Sequence, residues 1–376
     1  MFFLCMFPMS VMGAERENEE YIGQILEDSG LSFDEIEEAI EDSSLKGSID
    51  FFEIIKKLWQ GDTKEVLDDV GNMIKASLLS ELSGNKKNFV QIILLAVFAA
   101  LFSNLATGMF SGTLHETGFF AAYLALTAIV LQSFYLMLSV AGEAVAEITA
   151  FMEAFIPAYA IAITMVSGSV SSLAVYEITF FLIKGCQWVL KNAVIPLIEA
   201  YMLIGIVNCV GERERFSNLA DLLKKVVDQL LKWGTGVILS LNLIQNMILP
   251  AVDSVKSTLW QKGLSAIPGA GNMISALTGS ILGASVLIKN SIGAGCLIIL
   301  ILLCSVPVMK LIVFILSFSC CSAFLQPISD KRLVSLLHIT GESGKLLLQT
   351  VIACLTLFFI TIALASISTN MRYYAG

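Results

Sequence analysis

The sequence predicts an all-α polytopic membrane protein with two parallel internal repeats of about 111 residues, preceded by two spans and a small exported helical segment. Three observations carry this. First, the chain is 56% hydrophobic and only 15% charged, with a mean hydropathy of +0.80; soluble domains carry about a quarter charged residues. Second, several uncharged runs reach the ~20 residues needed to cross ~30 Å of hydrocarbon. Third, one ungapped shift lays Ile156-Pro157 on Ile267-Pro268, Ser167-Gly168-Ser169 on Thr278-Gly279-Ser280, and Ile195-Pro196 on Val306-Pro307. Four of the seven prolines pair at this offset, and generic apolar composition does not align prolines and glycines.

Residues 1–14 (MFFLCMFPMSVMGA) are apolar and end in small residues ahead of Glu15-Arg16-Glu17. They read as a signal peptide with cleavage after Ala14, although no Lys or Arg precedes the apolar run. Residues 15–88 would then lie outside the cytoplasm. They are acidic: residues 1–88 hold 19 acids against 8 bases, a net of −11, whereas residues 89–376 hold 13 against 15, a net of +2. The exported segment has helix signals. Ser32 with Glu35 and Asp50 with Glu53 have capping-box spacing. Phe51, Ile54, Ile55 and Leu58 fall on one helical face; Val66, Leu67, Val70, Ile74 and Leu78 form a second run that stops before Gly84, a candidate C-cap. Two readings stay open for this segment: a solvated tether, or a docking module whose apolar stripes need a partner.

Residues 89–140 hold two transmembrane helices, Phe89–Gly108 and Gly118–Val140. Repeat A (141–252) is expected to comprise pieces at 155–170, 171–191 and 192–210, a polar interval at 211–232, and a span at 234–252. Repeat B (253–376) follows with 266–281, 282–304, 305–326, a polar interval at 327–345, and 346–368. The intervals hold Arg213, Arg215, Lys224, Lys225 and Lys232, and Lys331, Arg332 and Lys345; the positive-inside rule puts both on the cytoplasmic face. Copies with the same face inward are parallel repeats, with six to ten spans in total. Within the first interval, Leu219, Leu222, Leu223, Val226, Val227, Leu230 and Leu231 form an amphipathic helix that lies on the inner leaflet or meets a cytoplasmic partner.

Ser167, Gly168, Ser169, Thr278, Gly279, Ser280, Glu199 and Lys310 are the candidate path or repeat-interface residues. Pro157 to Val166 is ten residues, ~15 Å of helix and about half the hydrocarbon. The Ser-Gly-Ser that follows fits a re-entrant hairpin lining a path, close helix packing, or a turn at the membrane surface. Glu199 and Lys310 fall three residues after Pro196 and Pro307, so the repeat sets opposite charges at matching positions. Glu177 and Lys184 share a helical face, and Lys289-Asn290 sits near a span boundary. Snorkelling to the headgroups is the plainer reading for Lys184, Lys289 and Lys310.

Enzyme motifs are absent. The two histidines, His115 and His338, stand apart, and no His-Glu-x-x-His, Walker loop or nucleophile elbow occurs. No catalytic residue, metal or cofactor is expected. Cysteines 186, 209, 296, 304, 320, 321 and 354 lack Cys-x-x-Cys spacing and read as small buried residues. A pI of about 4.9 argues against nucleic acid.

The signal, the acidic exported segment, Ile156-Pro157 followed by Ser167-Gly168-Ser169, and Leu287–Lys310 (LIKNSIGAGCLIILILLCSVPVMK) with Phe324-Leu325-Gln326-Pro327 resemble the stage III sporulation protein AE family of endospore-forming bacteria. The resemblance covers nearly the whole membrane block and is weakest in residues 15–88. It implies a multi-pass protein of the mother-cell membrane around the forespore, within a channel complex that is similar to secretion machines. The implied partners are other stage III sporulation complex proteins, including a secretion-type ATPase on the cytoplasmic side and ring-forming proteins in the intermembrane space, together with membrane lipid. The residues alone leave two alternatives open: a stand-alone secondary transporter with a site between the repeats, or a non-conducting assembly scaffold.

Overall fold

The computed structural model describes residues 33–47, 50–84, 113–167, 169–210, 216–237, 239–240, 271–327 and 330–375. The signal peptide, the span 89–108 and most of 234–252 lie outside them. The described residues are helical, with no strand among them: α1 (Asp34–Glu41), α2 (Phe51–Gln60), α3 (Thr63–Gly84), α4 (Thr113–Ser167), α5 (Ser169–Val189), a π turn (Leu190–Val194), α6 (Ile195–Val210), α7 (217–237), α8 (Gly271–Leu325) and α9 (Lys331–Ala375). Among the described residues, four stretches are long and apolar enough to cross a membrane: Tyr123–Thr164, Glu177–Cys209, Ser285–Leu325 and Lys331–Ser366.

The N-terminal helices follow their local signals in part. Asp50 caps α2, its Oδ1 accepting from Glu53 N at 3.1 Å. The N-cap residue of α1 is Phe33, with no side-chain bond; the expected Ser32–Glu35 box falls on Ser32, which lies outside the described residues. Gly61 ends α2 at φ +87°, in the left-handed region that costs glycine least. Gly84 is still helical, the last residue of α3. The apolar face of α2 finds its partner within the chain. Phe51, Ile55 and Leu58 are buried in the same core as the long helices, and a Cβ at Gly295 of α8 would stand 3.3 Å from both Phe51 and Ile55. α1 meets α4 as well, and in the turn after it Ser44 Oγ donates to Glu147 at 2.8 Å.

The long helices depart from the expected short pieces. α4 and α8 each run 55 residues, about 80 Å, with Pro157 and Pro307 inside them rather than opening new pieces. A proline removes one i→i−4 bond and strains one turn, and packing on a large core outweighs that cost of about 3 kcal/mol. α4 also runs without a break through residues 140 and 141, where the first two spans were expected to give way to repeat A. At Pro196 the response differs: the chain widens into the π turn, where Ile195 N donates to Leu190 O. Asn192 Nδ2 also donates to Trp188 O at 3.1 Å. Such one-turn π insertions relieve proline clashes without ending a helix.

α4 and α5 form an antiparallel hairpin. Glu153 and Lys184, on opposite sides of Gly168 in the chain, meet at 2.7 Å, and Tyr159 and Thr179 line one cavity. α6 and α7 reverse likewise: Phe216 N donates to Asn208 Oδ1 at 2.8 Å. α7 is therefore not a lone helix on the inner leaflet; Val227 is buried, Leu223, Leu230 and Leu231 pack on the core, and Leu219, Leu222 and Val226 face outward. α8 and α9 make a third hairpin across residues 326–330. Packing in it is tight at glycine, where a Cβ at Gly344 of α9 would lie 2.9 Å from the Ile315 side chain of α8; α6 meets α9 as closely, a Cβ at Gly205 lying only 2.5 Å from the Ile339 side chain. Phe134, Phe151, Phe155, Leu300, Phe318, Leu347 and Val351 fill the centre.

Candidate functional site

The expected candidate residues separate. Ser167 ends α4 and Ser169 begins α5, so the chain turns back at this motif; Gly168 itself lies outside the described residues. Thr278, Gly279 and Ser280 lie inside α8, which passes through them unbroken. The two copies thus differ in direction at their shared motif, against the expectation that they superpose. Neither is a half-length re-entrant piece, because the helices that hold them are far longer than half a bilayer. Small residues permit a reversal; whether it happens depends on the partner helix available, which for α4 is α5.

Glu199 and Lys310 do not form an ion pair. Glu199 accepts instead from Tyr135 Oη at 3.2 Å, while Lys184–Glu153 and Lys224–Glu342 are ion pairs that join long helices. Glu342 takes Lys224 Nζ and Lys345 Nζ, each at 2.6 Å, pinning α7 to α9.

The charge of most consequence is Lys289. Its side chain is fully buried, and Nζ donates to Ser366 O of α9 at 3.1 Å. It does not snorkel, because the helix carries it to the inner face of the bundle, between α4 and α9. Around it stand polar groups from three helices. Ser366 Oγ donates to Asn290 Oδ1 at 3.3 Å. Tyr159 Oη comes within 3.5 Å, and Ser366 Oγ within 3.8 Å, of where a Cβ at Gly293 would be. Tyr159 is the last ring of a stack along α4, with Phe151–Phe155 centroids 6.1 Å apart and Phe155–Tyr159 5.2 Å. An ionisable group inside a membrane helix is expensive to keep and marks a site by default. The arrangement can hold helices in register and donate hydrogen bonds. Among the described residues, no group of three or more His, Cys, Asp or Glu could hold a metal ion. Sequence reading noticed Lys289-Asn290 but missed Tyr159, a single polar residue within an apolar run, and Ser366, one of several small polar residues where the last apolar run gives out.

Long apolar helices packed around a buried lysine define a helical membrane protein. Its family is settled by comparison: the family model for stage III sporulation protein AE (spore_III_AE) matches residues 49–369, most of the chain. The chain belongs to that family, which ties it to sporulation. It is 24% identical over 296 residues to the stage III sporulation protein AE of Bacillus subtilis (strain 168), covering 78% of this chain and 74% of that protein. No solved structure matches.

Proposed function

We propose that this chain is a non-enzymatic, multi-pass membrane subunit of the stage III sporulation complex that links mother cell and forespore, needed for forespore development. The observation that carries the reading is the family match across residues 49–369. Two structural features support it. The acidic helix α1 and the amphipathic helix α2 rest on α4 and α8, so an extracytoplasmic segment would be held in a fixed place for ring-forming proteins of the intermembrane space. Large apolar side chains, among them Phe181, Trp188, Trp233 and Phe324, stay exposed, offering surface to lipid or neighbouring subunits. The secretion-type ATPase would approach the basic intervals around Lys224 and Lys331 on the cytoplasmic side. The stand-alone carrier loses support, since it drew on two like halves and the halves diverge at residues 168 and 279.

The test is affinity purification of the tagged full chain from sporulating cells in mild detergent, beside a deletion strain. Recovery of other stage III proteins, and arrest of forespore development on deletion, is the expected result. A chain recovered alone from a strain that still sporulates would contradict the proposal.

A further inference from the structure

Beside the Lys289 cluster, Tyr159 Oη is fully buried and has no hydrogen-bond partner among the protein groups. Ser366 Oγ is close by and, although its own hydrogen goes to Asn290, its oxygen could still accept; the contact with Tyr159 Oη falls outside hydrogen-bond geometry. A tyrosine hydroxyl left unpaired in an apolar interior costs about 1–3 kcal/mol, and buried hydroxyls are rarely left so. Tyr159 also lines a cavity between α4, α5 and α9, together with Ile156, Thr179, Thr361 and Ala365. Its free space for the centre of a water-sized sphere is about 10 Å³, the room that one water requires. The lining supplies the polar partners as well. Thr361 Oγ1 donates to Leu357 O at 2.8 Å, and a hydroxyl oxygen that donates once can still accept. Thr179 is buried on the facing helix.

We propose that this cavity is a binding site for a single water molecule, which accepts from Tyr159 Oη and donates to the hydroxyl of Thr361 or Thr179. Three observations independent of one another point there: an orphaned buried donor, a cavity of one-water size, and threonine hydroxyls in its wall. The water joins α4 to α5 and α9 at the level where Lys289 joins α8 to α9. The interior around Lys289 is then a hydrated polar core that ties four helices together.

The test uses the full chain in lipid nanodiscs and reads the melting temperature of wild type, Tyr159→Phe, Thr361→Val, Thr179→Val and the doubles. Phenylalanine keeps the ring stack and removes only the hydroxyl. If the water bridges, Tyr159→Phe lowers the melting temperature by about 2 °C or more. One threonine change then lowers it too, and the corresponding double falls no further than the worse single. If the hydroxyl is a dry orphan, Tyr159→Phe leaves the melting temperature unchanged or raises it, and the proposal fails; strictly additive losses defeat it too. Should the variants not accumulate, an experimental density map of the wild type decides. A solvent peak about 2.7–3.2 Å from Tyr159 Oη and from a threonine hydroxyl supports the site. A direct bond from Tyr159 Oη to protein, or no peak, overturns it.

Discussion

Two helical hairpins in this chain carry the same kind of small-residue motif and use it differently. The α4/α5 hairpin turns at Ser167–Ser169 and is closed on its outside by Lys184–Glu153, a pair whose side chains are 48% and 29% exposed. The α8/α9 hairpin keeps its copy of the motif, Thr278–Ser280, inside a continuous helix and turns only at 326–330. It closes through glycines that let backbones approach, and through Lys289, a charge with no exposed surface. A Ser-Gly-Ser or Thr-Gly-Ser motif lowers the cost of a turn without imposing one, because glycine in a helix costs only about 1 kcal/mol. The packing on either side decides, and it amounts to many times that.

The difference between the hairpins can be broken at its strongest point first. Gly344→Leu places a side chain where Ile315 and Met137 Sδ, at 2.9 and 3.1 Å from the built Cβ, already stand. Overpacking should cost about 1–3 kcal/mol or more, seen as loss of folded protein in a detergent stability assay. Silence there would mean that α8 and α9 are not in contact at this level. Lys289→Met keeps the length of the side chain and strips the donor from Ser366 O, at an expected cost of about 1–3 kcal/mol. The matching change on the other hairpin, Lys184→Met, should cost about 0–1 kcal/mol, because exposed pairs are screened and entropically loose. Equal costs for the two lysines would erase the distinction drawn here.

Gly295→Phe sharpens the account from a different side. It would fill the place where Phe51 and Ile55 rest, and should free α2 from the bundle while leaving α8/α9 folded. Limited proteolysis would then cut between α1 and α3, and an uncut N-terminal region would argue against the docking. The smallest effect is expected within α2/α3. Lys57 is held above its ordinary 10.5 by hydrogen bonds to Asp69 and Glu65, at 3.0 and 3.3 Å. A raised lysine stabilises fully below 10.5 and loses that contribution as pH climbs through the higher folded value. Helicity of the wild type should therefore fall slightly more than that of Lys57→Met between pH 10 and 12, and identical profiles would remove the contribution.

Much of this was legible in the residues. Composition and uncharged runs dictate helices, because only a helix satisfies its backbone groups without water. The capping pair Asp50–Glu53 and the stripe Phe51, Ile55, Leu58 are local signals, and local packing kept them. The register of the long helices was not legible. Prolines 157, 196 and 307 read as boundaries, yet two lie inside helices and the third is absorbed by a π turn. The choice depends on how much core each helix buries, which no window of sequence contains. The Glu199–Lys310 pair failed for the same reason: matching positions along a repeat do not imply proximity once the copies run differently. Tyr159 and Ser366 could not have been found, since their importance comes from meeting α8, at Gly293 and at Lys289, out of helices far from it in the chain.

The divergence of the two hairpins is tested most directly by distance. Spin labels at 153 and 184, and in a second sample at Gly271 and Leu287, are introduced into a cysteine-free full chain. The two pairs straddle residues 168 and 279. The account predicts about 10 Å for the first pair, the separation of packed helices, and about 24 Å for the second, sixteen residues along one helix. A short distance in both samples would restore the parallel repeat and contradict the unbroken α8.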